Sequence, residues 1–340
     1  MDLKKKILFA FYPLYVKYNH GIALLSALCK ARGIDTDIYV LDSVDNFSNY
    51  ILKNRIVFVG FSCVTEHDYK KCLPFMEEAR RIGCISMLGG VYPKRGTALD
   101  APVDFICIGE GEKLPDFILH GDDRLFKEKM LCEDINALPL PDYELFRDIP
   151  FERDIPFLKG KKVLPYHSSR GCPYSCSFCE IQGQPKVVRC RYKVQEDLSY
   201  LIGKYSPDIV FIGDELLPYY TGQWRDSWGD FRYPFVAYIR ADIPEDMLVW
   251  LHDRGMVGCA FGVESGDEQY RNDVLRKGLN DYEIFRTVEM LKRLRIEYVP
   301  FYMTDTPGET FAIKAKTFRM SKKLGGYPVV WKYENLFEMR

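Results

Sequence analysis

The stretch that determines the fold reads Val163-Leu-Pro-Tyr-His-Ser-Ser-Arg-Gly-Cys-Pro-Tyr-Ser-Cys-Ser-Phe-Cys179. Its first part, Val163 to Ser168, has the apolar character of a buried strand, and a loop with three cysteines at the spacing C-x₃-C-x₂-C follows directly. A loop at the carboxyl end of a strand lies at the rim of an α/β barrel, where such folds place their chemistry. Three thiolates in one loop can ligate three irons of a cubane cluster and leave the fourth iron open. We therefore predict a [4Fe-4S] cluster on Cys172, Cys176 and Cys179.

Two other interpretations of these cysteines fit less well. A structural zinc site needs a fourth ligand at a matching spacing, and the nearest candidates, His167 and Cys190, do not form such a pair. Core cysteines that met by chance would not cluster beside a Gly and a Pro. The chain has 11 cysteines, an odd count that suits a disulfide framework poorly, so a reducing, cytoplasmic location is expected.

Strand and helix patterns alternate on both sides of the cysteine loop. Over residues 1–133 the alternation predicts a Rossmann-like, doubly wound parallel sheet. The segment 134–160 is rich in proline and acidic residues, which predicts a linker or a wrapping segment. Over residues 161–340 six strands with intervening helices predict a partial (β/α)₆ barrel. The fold class is therefore α/β, with two domains joined by a linker.

Composition excludes several classes of partner. The net charge is −1 over 340 residues, so no overall charge attracts nucleic acid. The start resembles a signal peptide, but Pro13 and Lys17 interrupt its apolar run, and we interpret it as a first buried strand. No apolar run approaches the roughly 20 residues that span a bilayer. Neither a membrane nor a nucleic acid is an expected partner.

Several further motifs accompany the cysteines. They are Gly89-Gly90-Val91-Tyr92-Pro93, Gly109-Glu110-Gly111-Glu112, Ser169-Arg170-Gly171, Gly262-Val263-Glu264-Ser265-Gly266 and Pro307-Gly308-Glu309-Thr310. With these motifs the chain resembles the radical S-adenosylmethionine (SAM) enzymes, in the branch that has an N-terminal cobalamin-binding-type domain. The resemblance covers nearly the whole chain and implies SAM bound to the open iron of the cluster.

Acidic residues at strand ends are the candidate SAM contacts. Asp214 and Glu215 follow a predicted strand, where they could accept hydrogen bonds from the ammonium of SAM, although Asp is also a favoured helix N-cap. The resemblance implies that Glu264 contacts the ribose, that Ser265 is also a SAM contact, and that the carbonyl of Phe178 lies near the adenine.

Arg240 ends the third barrel strand and is a candidate for the carboxylate of SAM by bidentate geometry. An alternative is that Glu264 is a structural acid that pairs with Arg240. At the fifth strand Asp305 stands where relatives usually have a glycine, and its role is left open.

The resemblance also implies a cobalamin site at the crevice of the first domain. The residues expected there are Ser62, Thr65, Gly89, Gly90, Tyr92, Glu110 and Gly111. The stretch Asp-x-His-x-x-Gly, which supplies an axial histidine in many cobalamin proteins, is absent, and His67 does not fit it. A domain that serves only as a scaffold is the alternative.

The leading hypothesis is cobalamin-dependent methylation of an unactivated carbon. A 5′-deoxyadenosyl radical would abstract hydrogen and methylcobalamin would deliver the methyl group. One alternative is a non-methylating radical SAM reaction such as cyclisation, oxidation or rearrangement. A second is tRNA methylthiolation, but that family holds a second cluster on three N-terminal cysteines, and Cys63, Cys72 and Cys84 do not match its spacing. A third is a cluster that serves only as a sensor or structural element.

The expected partners are a small-molecule or carrier-borne substrate and an electron donor such as flavodoxin or ferredoxin. The segment 219–235 is dense in aromatic residues. It could line a substrate or corrin pocket or pack its own small core.

Overall fold

The computed structural model describes residues 5–12, 18–95, 100–121, 134–147, 155–179, 181, 183–217 and 222–333. The chain divides into two compact units, Met1–Glu152 and Arg153–Arg340. In the described ranges no helix combines the length and the apolar character that crossing a membrane requires.

The first unit is a five-stranded parallel sheet with the order β2-β1-β3-β4-β5. Its strands are β1 Lys6–Phe11, β2 Asp35–Val40, β3 Phe58–Cys63, β4 Ile85–Gly90 and β5 Phe105–Ile106, and its described helices are α1 His20–Ala31, α2 Val44–Asn54, α3 Glu66–Ile82 and α4 Leu114–His120. The chain leaves β1 in one direction to β2 and returns on its other side to β3. This reversal is the topological switch point at which doubly wound sheets bind ligands.

Helix α3 shows how local sequence sets an element in this unit. A capping box between Thr65 and Asp68 fixes its first turn, and Gly83 in the left-handed conformation ends it. Pro74 lies well inside α3. Its nitrogen carries no hydrogen, so the carbonyl one turn earlier loses its usual donor, and the helix nevertheless continues to Ile82.

The first part of the proline-rich segment packs on the first unit. The Asp142 N–H donates to the Ala23 carbonyl at 2.9 Å, and the Asp142 carboxylate accepts from Ser26 Oγ and Lys30 Nζ, each at 2.6 Å. The Tyr143 ring stacks on Tyr18 with centroids 5.8 Å apart. Residues 134–147 therefore wrap against α1.

The second unit contains a six-stranded parallel sheet with the order β13-β12-β11-β10-β9-β6. Its strands are β6 Val163–Tyr166, β9 Ile209–Ile212, β10 Phe235–Tyr238, β11 Met256–Glu264, β12 Glu297–Thr304 and β13 Val329–Lys332, and its described helices are α5 Lys193–Tyr205, α6 Gly222–Trp228, α7 Glu245–Asp253, α8 Glu268–Asp273, α9 Asp281–Arg293 and α10 Phe311–Leu324. Strands that neighbour each other in chain order, with helices between them, form a partial (β/α)₆ barrel. The predicted α/β fold class is confirmed.

The two faces of β11 differ in side-chain size. Cys259, Phe261 and Val263 are at most 1% exposed and contribute to the apolar core. The alternate positions include Gly258 and Gly262, which carry no side chain, so Phe157 lies against the first and the side chains of Glu264 and Lys277 lie against the second.

The sequence pattern missed a short hairpin. We expected one strand from Val163 to Ser168, but β6 ends at Tyr166, and the chain then forms β7 Ser169–Arg170, which pairs antiparallel with β8 Val187–Val188. The cysteine loop is therefore the loop of a hairpin attached to the end of β6.

The aromatic segment packs its own core where it is described. Trp224 and Trp228 of α6 are fully buried, with ring centroids 5.6 Å apart, and both contact Trp250 of α7. Tyr219 and Tyr220 lie outside the described residues. The described part of the segment favours the packing alternative.

Candidate functional site

The hairpin β7–β8 closes the base of the cysteine loop. Gly171 has a φ of +84°, and a Cβ there would lie 2.1 Å from the carbonyl oxygen of Pro185. The two limbs therefore approach so closely that only glycine fits before the first cysteine. Beyond this neck Cys176 is buried, and Cys172 and Cys179 are half-buried.

Backbone hydrogen bonds fix the loop from within and from outside. Within it, the Cys179 N–H donates to the Cys176 carbonyl at 3.1 Å. From outside, the Ser177 N–H donates to the Leu275 carbonyl at 3.1 Å and Ser177 Oγ donates to the Val274 carbonyl at 2.8 Å. The loop that follows α8 thus holds the cysteine loop at its centre.

The thiols need a positive partner. Burial raises the pKa of the Cys179 thiol to about 11; the Ile181 N–H lowers this pKa, the neighbouring thiols of Cys176 and Cys172 raise it, and Lys277 lowers it. Thiolates this close repel one another, so all three ionise together only around cationic irons, which suits a cluster. No three Cys, His, Asp or Glu side chains in the described ranges are arranged to share one metal ion. In a cubane cluster each thiolate binds its own iron.

Asp214 is buried and its carboxylate is occupied by the chain itself. Oδ1 accepts from the Ser168 N–H at 2.7 Å, and Oδ2 accepts from Ser168 Oγ at 2.5 Å and from Ser169 Oγ. No helix begins here, because residues 215–217 form a bend, so the helix N-cap interpretation is wrong. Asp214 fastens the end of β9 to the start of the hairpin.

Glu215 differs from its neighbour because its side chain remains exposed. Protein atoms nevertheless surround its carboxylate and desolvate it. This desolvation raises its pKa; a backbone hydrogen bond lowers it, the charge of Asp214 raises it, and Lys186 and Arg170 lower it. Of the two predicted acids, Glu215 is the one a ligand can reach.

Arg240 is buried and makes several contacts within the protein. Its Nη2 donates to the carbonyls of Lys277 and of Gly278 (2.7 Å for Gly278), and its Nε donates to Asp242 at 2.9 Å. Its guanidinium carbon lies 3.9 Å from the ring centroid of Tyr174 in the cysteine loop. Arg240 therefore connects the end of β10 to the loop on one side and to the 277–278 backbone on the other.

Glu264 pairs with Lys277 and not with Arg240, so the alternative that paired it with Arg240 is wrong. Lys277 Nζ lies 2.8 Å from Glu264 Oε1, and the two side chains are 12% and 9% exposed. A Cβ on Gly262 would lie 1.9 Å from the same oxygen, so the pair occupies the space above this glycine. Glu264 itself has a φ of +65°, which is rare for a residue with a side chain.

Lys277 is the site residue that the sequence analysis missed. Its ammonium also lies 5.5 Å from the ring centroid of Phe178 in the cysteine loop. The only local signal was a lysine before Gly278, which adopts a φ of +61° in the loop between α8 and α9.

Ser265 and Asp305 lie at the ends of the next segments. Ser265 is buried and its Oγ accepts from the Asp267 N–H at 3.2 Å. Asp305 has a φ of +62°, a backbone conformation that glycine adopts most readily. Its carboxylate accepts from Lys314, which lowers the pKa of Asp305.

In the first unit the predicted cobalamin residues lie at the carboxyl ends of β3, β4 and β5. Ser62 Oγ accepts from Asn19 Nδ2 at 3.1 Å, which joins the end of β3 to the start of α1 at the switch point. Thr65 caps α3. Gly89 and Gly90 end β4, which pairs with β3, so they lie one strand beyond the switch point.

The two glycines of β4 are glycine for different reasons. Gly90 has a φ of +98°, and a Cβ there would lie 2.3 Å from the Cys63 carbonyl oxygen, so the fold itself requires it. Among the described residues, a Cβ on Gly89 would meet only the Cys107 Cβ, at 3.9 Å. The described part of the chain therefore leaves space beside Gly89 at the strand end.

The other expected residues complete this edge. The buried Tyr92 stacks on Tyr69, with centroids 5.0 Å apart. Glu110 and Gly111 lie between β5 and α4, with Gly111 close to Leu25. His67 is exposed in the first turn of α3 and not in a surface loop.

Comparison with known proteins places these features in context. No family model matches the chain. The anaerobic magnesium-protoporphyrin IX monomethyl ester cyclase of Rubrivivax gelatinosus is 24% identical over 88% of this chain and 61% of its own length. An uncharacterized methyltransferase of Synechocystis is 26% identical over 57% of this chain and 38% of its own length. The chain thus spans less than two thirds of either relative.

Among solved structures, the radical S-adenosylmethionine methyltransferase TsrM of Kitasatospora setae is similar over most of the chain. The form with cobalamin and a [4Fe-4S] cluster bound superposes with a TM-score of 0.74 at 14% identity, over 97% of this chain and 72% of TsrM. The form with tryptophan and a SAM analogue gives 0.73 at 15% identity, over 96% and 72%. This likeness shows a shared fold across both units.

Proposed function

We propose that this chain, which has the fold and the cysteine motif of the radical SAM enzymes with an N-terminal cobalamin-type domain, binds a [4Fe-4S] cluster and SAM and modifies an organic substrate by radical chemistry. The observation that supports this most is the three-cysteine loop, which a hairpin closes at the carboxyl end of β6. When bound, the cluster supplies the electron that cleaves SAM and yields a 5′-deoxyadenosyl radical.

The residues of the second unit divide the work. Cys172, Cys176 and Cys179 hold the cluster. Glu215, whose side chain is exposed at the rim, accepts from the ammonium of SAM, and Asp214 supports the rim from behind through Ser168.

Three further assignments concern the rest of SAM. Glu264 and Ser265 bind the ribose, with Lys277 orienting the Glu264 carboxylate through its Oε1. The Phe178 carbonyl contacts the adenine. Arg240 holds the loop through Tyr174 and is the candidate contact for the SAM carboxylate.

We further propose that the reaction is cobalamin-dependent methylation of an unactivated carbon. Support comes from the sheet order of the first unit, from the open space at Gly89, and from the fold shared with a methyltransferase that binds cobalamin. Ser62, Thr65, Gly89, Gly90, Tyr92, Glu110 and Gly111 are the residues proposed to surround the corrin.

A non-methylating reaction is the second candidate. The cyclase of Rubrivivax gelatinosus aligns with 88% of this chain, more than the 57% aligned by the methyltransferase of Synechocystis. In either case the substrate is a small molecule or is borne on a carrier, the electron donor is a protein such as flavodoxin or ferredoxin, and the location is the cytoplasm.

Anaerobic reconstitution with iron, sulfide and hydroxocobalamin tests the proposal. After desalting, cluster absorbance with a stoichiometric corrin spectrum supports the methyltransferase, and cluster absorbance without corrin supports the second candidate. The triple variant of Cys172, Cys176 and Cys179 to alanine should lose the cluster. Cys190→Ala is the matched control, because Cys190 is exposed and lies outside the loop. Equal iron in both variants would refute the proposal.

A further inference from the structure

Lys277 lies where the candidate cluster ligands and the candidate SAM contacts meet. Its Nζ is 2.8 Å from Glu264 Oε1 and 5.5 Å from the centroid of the Phe178 ring. Phe178 directly precedes Cys179. One ammonium thus neighbours both the carboxylate at the end of β11 and the ring of the residue before the last cysteine of the loop.

The backbone around Lys277 is fixed. Its N–H donates to the Arg271 carbonyl at 3.0 Å, and its own carbonyl accepts from Arg240 Nη2. Two residues earlier, the Leu275 carbonyl accepts from the Ser177 N–H of the cysteine loop. The backbone that carries Lys277 is therefore tied to this loop.

The ion pair needs the space that a glycine in β11 leaves. A Cβ on Gly262 would lie 1.9 Å from Glu264 Oε1 and 2.7 Å from Lys277 Nζ, so any side chain there would displace the pair. A charged pair with side chains only 12% and 9% exposed is costly to bury, and an apolar pair would serve packing equally well. A role for the charge itself explains the arrangement better than packing does.

We propose that Lys277 is a positioning residue of the radical site, whose ammonium orients Glu264 and stabilises the reduced state of the cluster held by Cys172, Cys176 and Cys179. The proposal rests on the function proposed above. A [4Fe-4S]²⁺ cluster with three thiolates has a net charge of −1, and one electron from the donor makes it −2. The protein interior screens charges poorly, so a nearby positive charge favours the more negative, reduced state of the cluster.

Redox titration with dithionite, followed by electron paramagnetic resonance, tests the proposal on the reconstituted full chain. Dithionite supplies the single electron, and the paramagnetic signal of the reduced cluster reports the fraction reduced. In Lys277→Gln we expect the equilibrium constant for reduction to fall about tenfold, which is about 59 mV in the midpoint potential of a one-electron couple. Lys277→Arg keeps the positive charge and should stay much closer to the wild type.

Lys323→Gln is the matched control. Lys323 also lies over a phenylalanine ring, 4.3 Å from the centroid of Phe285, but it is exposed on α10. Its loss should leave the midpoint potential unchanged. Glu264→Gln removes the negative partner and keeps the ammonium, so its midpoint potential should equal or exceed that of the wild type.

The outcomes separate this proposal from the function it rests on. If the wild type assembles no cluster, the proposed function fails. If all variants assemble the cluster and Lys277→Gln titrates like the wild type and like Lys323→Gln, the proposed role of Lys277 is overturned while the function stands. Should Lys277→Gln fold poorly, a midpoint potential close to the wild type in Lys277→Arg and at or above the wild type in Glu264→Gln supports the proposal. A lower midpoint potential in Glu264→Gln contradicts it.

Discussion

Replacement of Asp214 by alanine should destabilise the second unit. The buried carboxylate accepts from the Ser168 N–H at 2.7 Å, from Ser168 Oγ at 2.5 Å and from Ser169 Oγ. Alanine leaves these buried donors without an acceptor, and each such loss costs about 1–3 kcal/mol, although the two hydroxyls can rotate toward other partners. We expect a total of about 3 kcal/mol, dominated by the backbone N–H that cannot rotate.

Asparagine at position 214 should be much milder. Its oxygen can still accept from the Ser168 N–H, and its amide can donate to hydroxyls that rotate to accept. We expect a loss of about 1 kcal/mol. At about 2–4 °C per kcal/mol for a unit of this size, calorimetry of the cluster-free protein should show a fall in Tm of about 6–12 °C for alanine and about 2–4 °C for asparagine.

The ranking distinguishes a supporting role from a direct contact with SAM. A supporting residue makes alanine far worse than asparagine in Tm. A contact to the SAM ammonium makes both equally poor in SAM affinity, because both remove the charge, and leaves Tm near the wild type. Asp208→Asn is the control, since Asp208 accepts from a single exposed backbone N–H of Lys162. Equal Tm values for wild type and Asp214→Ala would show that Asp214 does not support the structure of the second unit.

Three further predictions follow from single residues. Gly90→Ala should lower Tm, because the alanine Cβ would lie 2.3 Å from a backbone oxygen. Gly89→Val should keep Tm but reduce the amount of corrin that the protein retains. A loss of Tm in Gly89→Val and a loss of corrin alone in Gly90→Ala would contradict the assignment of the two glycines. Gly171→Ala should lower the iron bound per chain, because a Cβ 2.1 Å from the Pro185 carbonyl forces the hairpin neck apart, and iron content equal to that of the wild type would show the neck to be dispensable. Burial raises the pKa of Glu215 above 4.5, so ionisation disfavours the folded state as pH rises through 4.5. Glu215→Gln should therefore gain stability over the wild type between pH 4 and pH 7 in chemical denaturation, and a constant difference across that range would count against it.

The sequence predicted the order of elements better than their connections. The continuous apolar run Ile209–Ile212 and the helical spacing of Glu245–Asp253 are local signals. The structure has a strand at the first position and a helix at the second. The hairpin β7–β8 has only two residues in each strand, too few to produce a pattern.

The site was predictable where chemistry is written in consecutive residues and not where it depends on distant pairs. The cysteine spacing is local, so it was visible. The pairing of Glu264 with Lys277 spans a separate helix, α8, and the acceptance by Asp214 from Ser168 joins residues that are 46 positions apart. No periodicity in the sequence encodes such pairs, so Lys277 was not identified as the partner of Glu264, and the alternative that paired Glu264 with Arg240 was wrong.

We propose above all that the loop of Cys172, Cys176 and Cys179 holds a cluster that cleaves SAM. The most direct test is to reconstitute the protein anaerobically, add dithionite and SAM, and quantify iron and 5′-deoxyadenosine together. We expect about four irons per chain and 5′-deoxyadenosine that disappears in the triple cysteine variant. A single tightly bound zinc ion in place of iron, with no 5′-deoxyadenosine from the reduced protein, would contradict it.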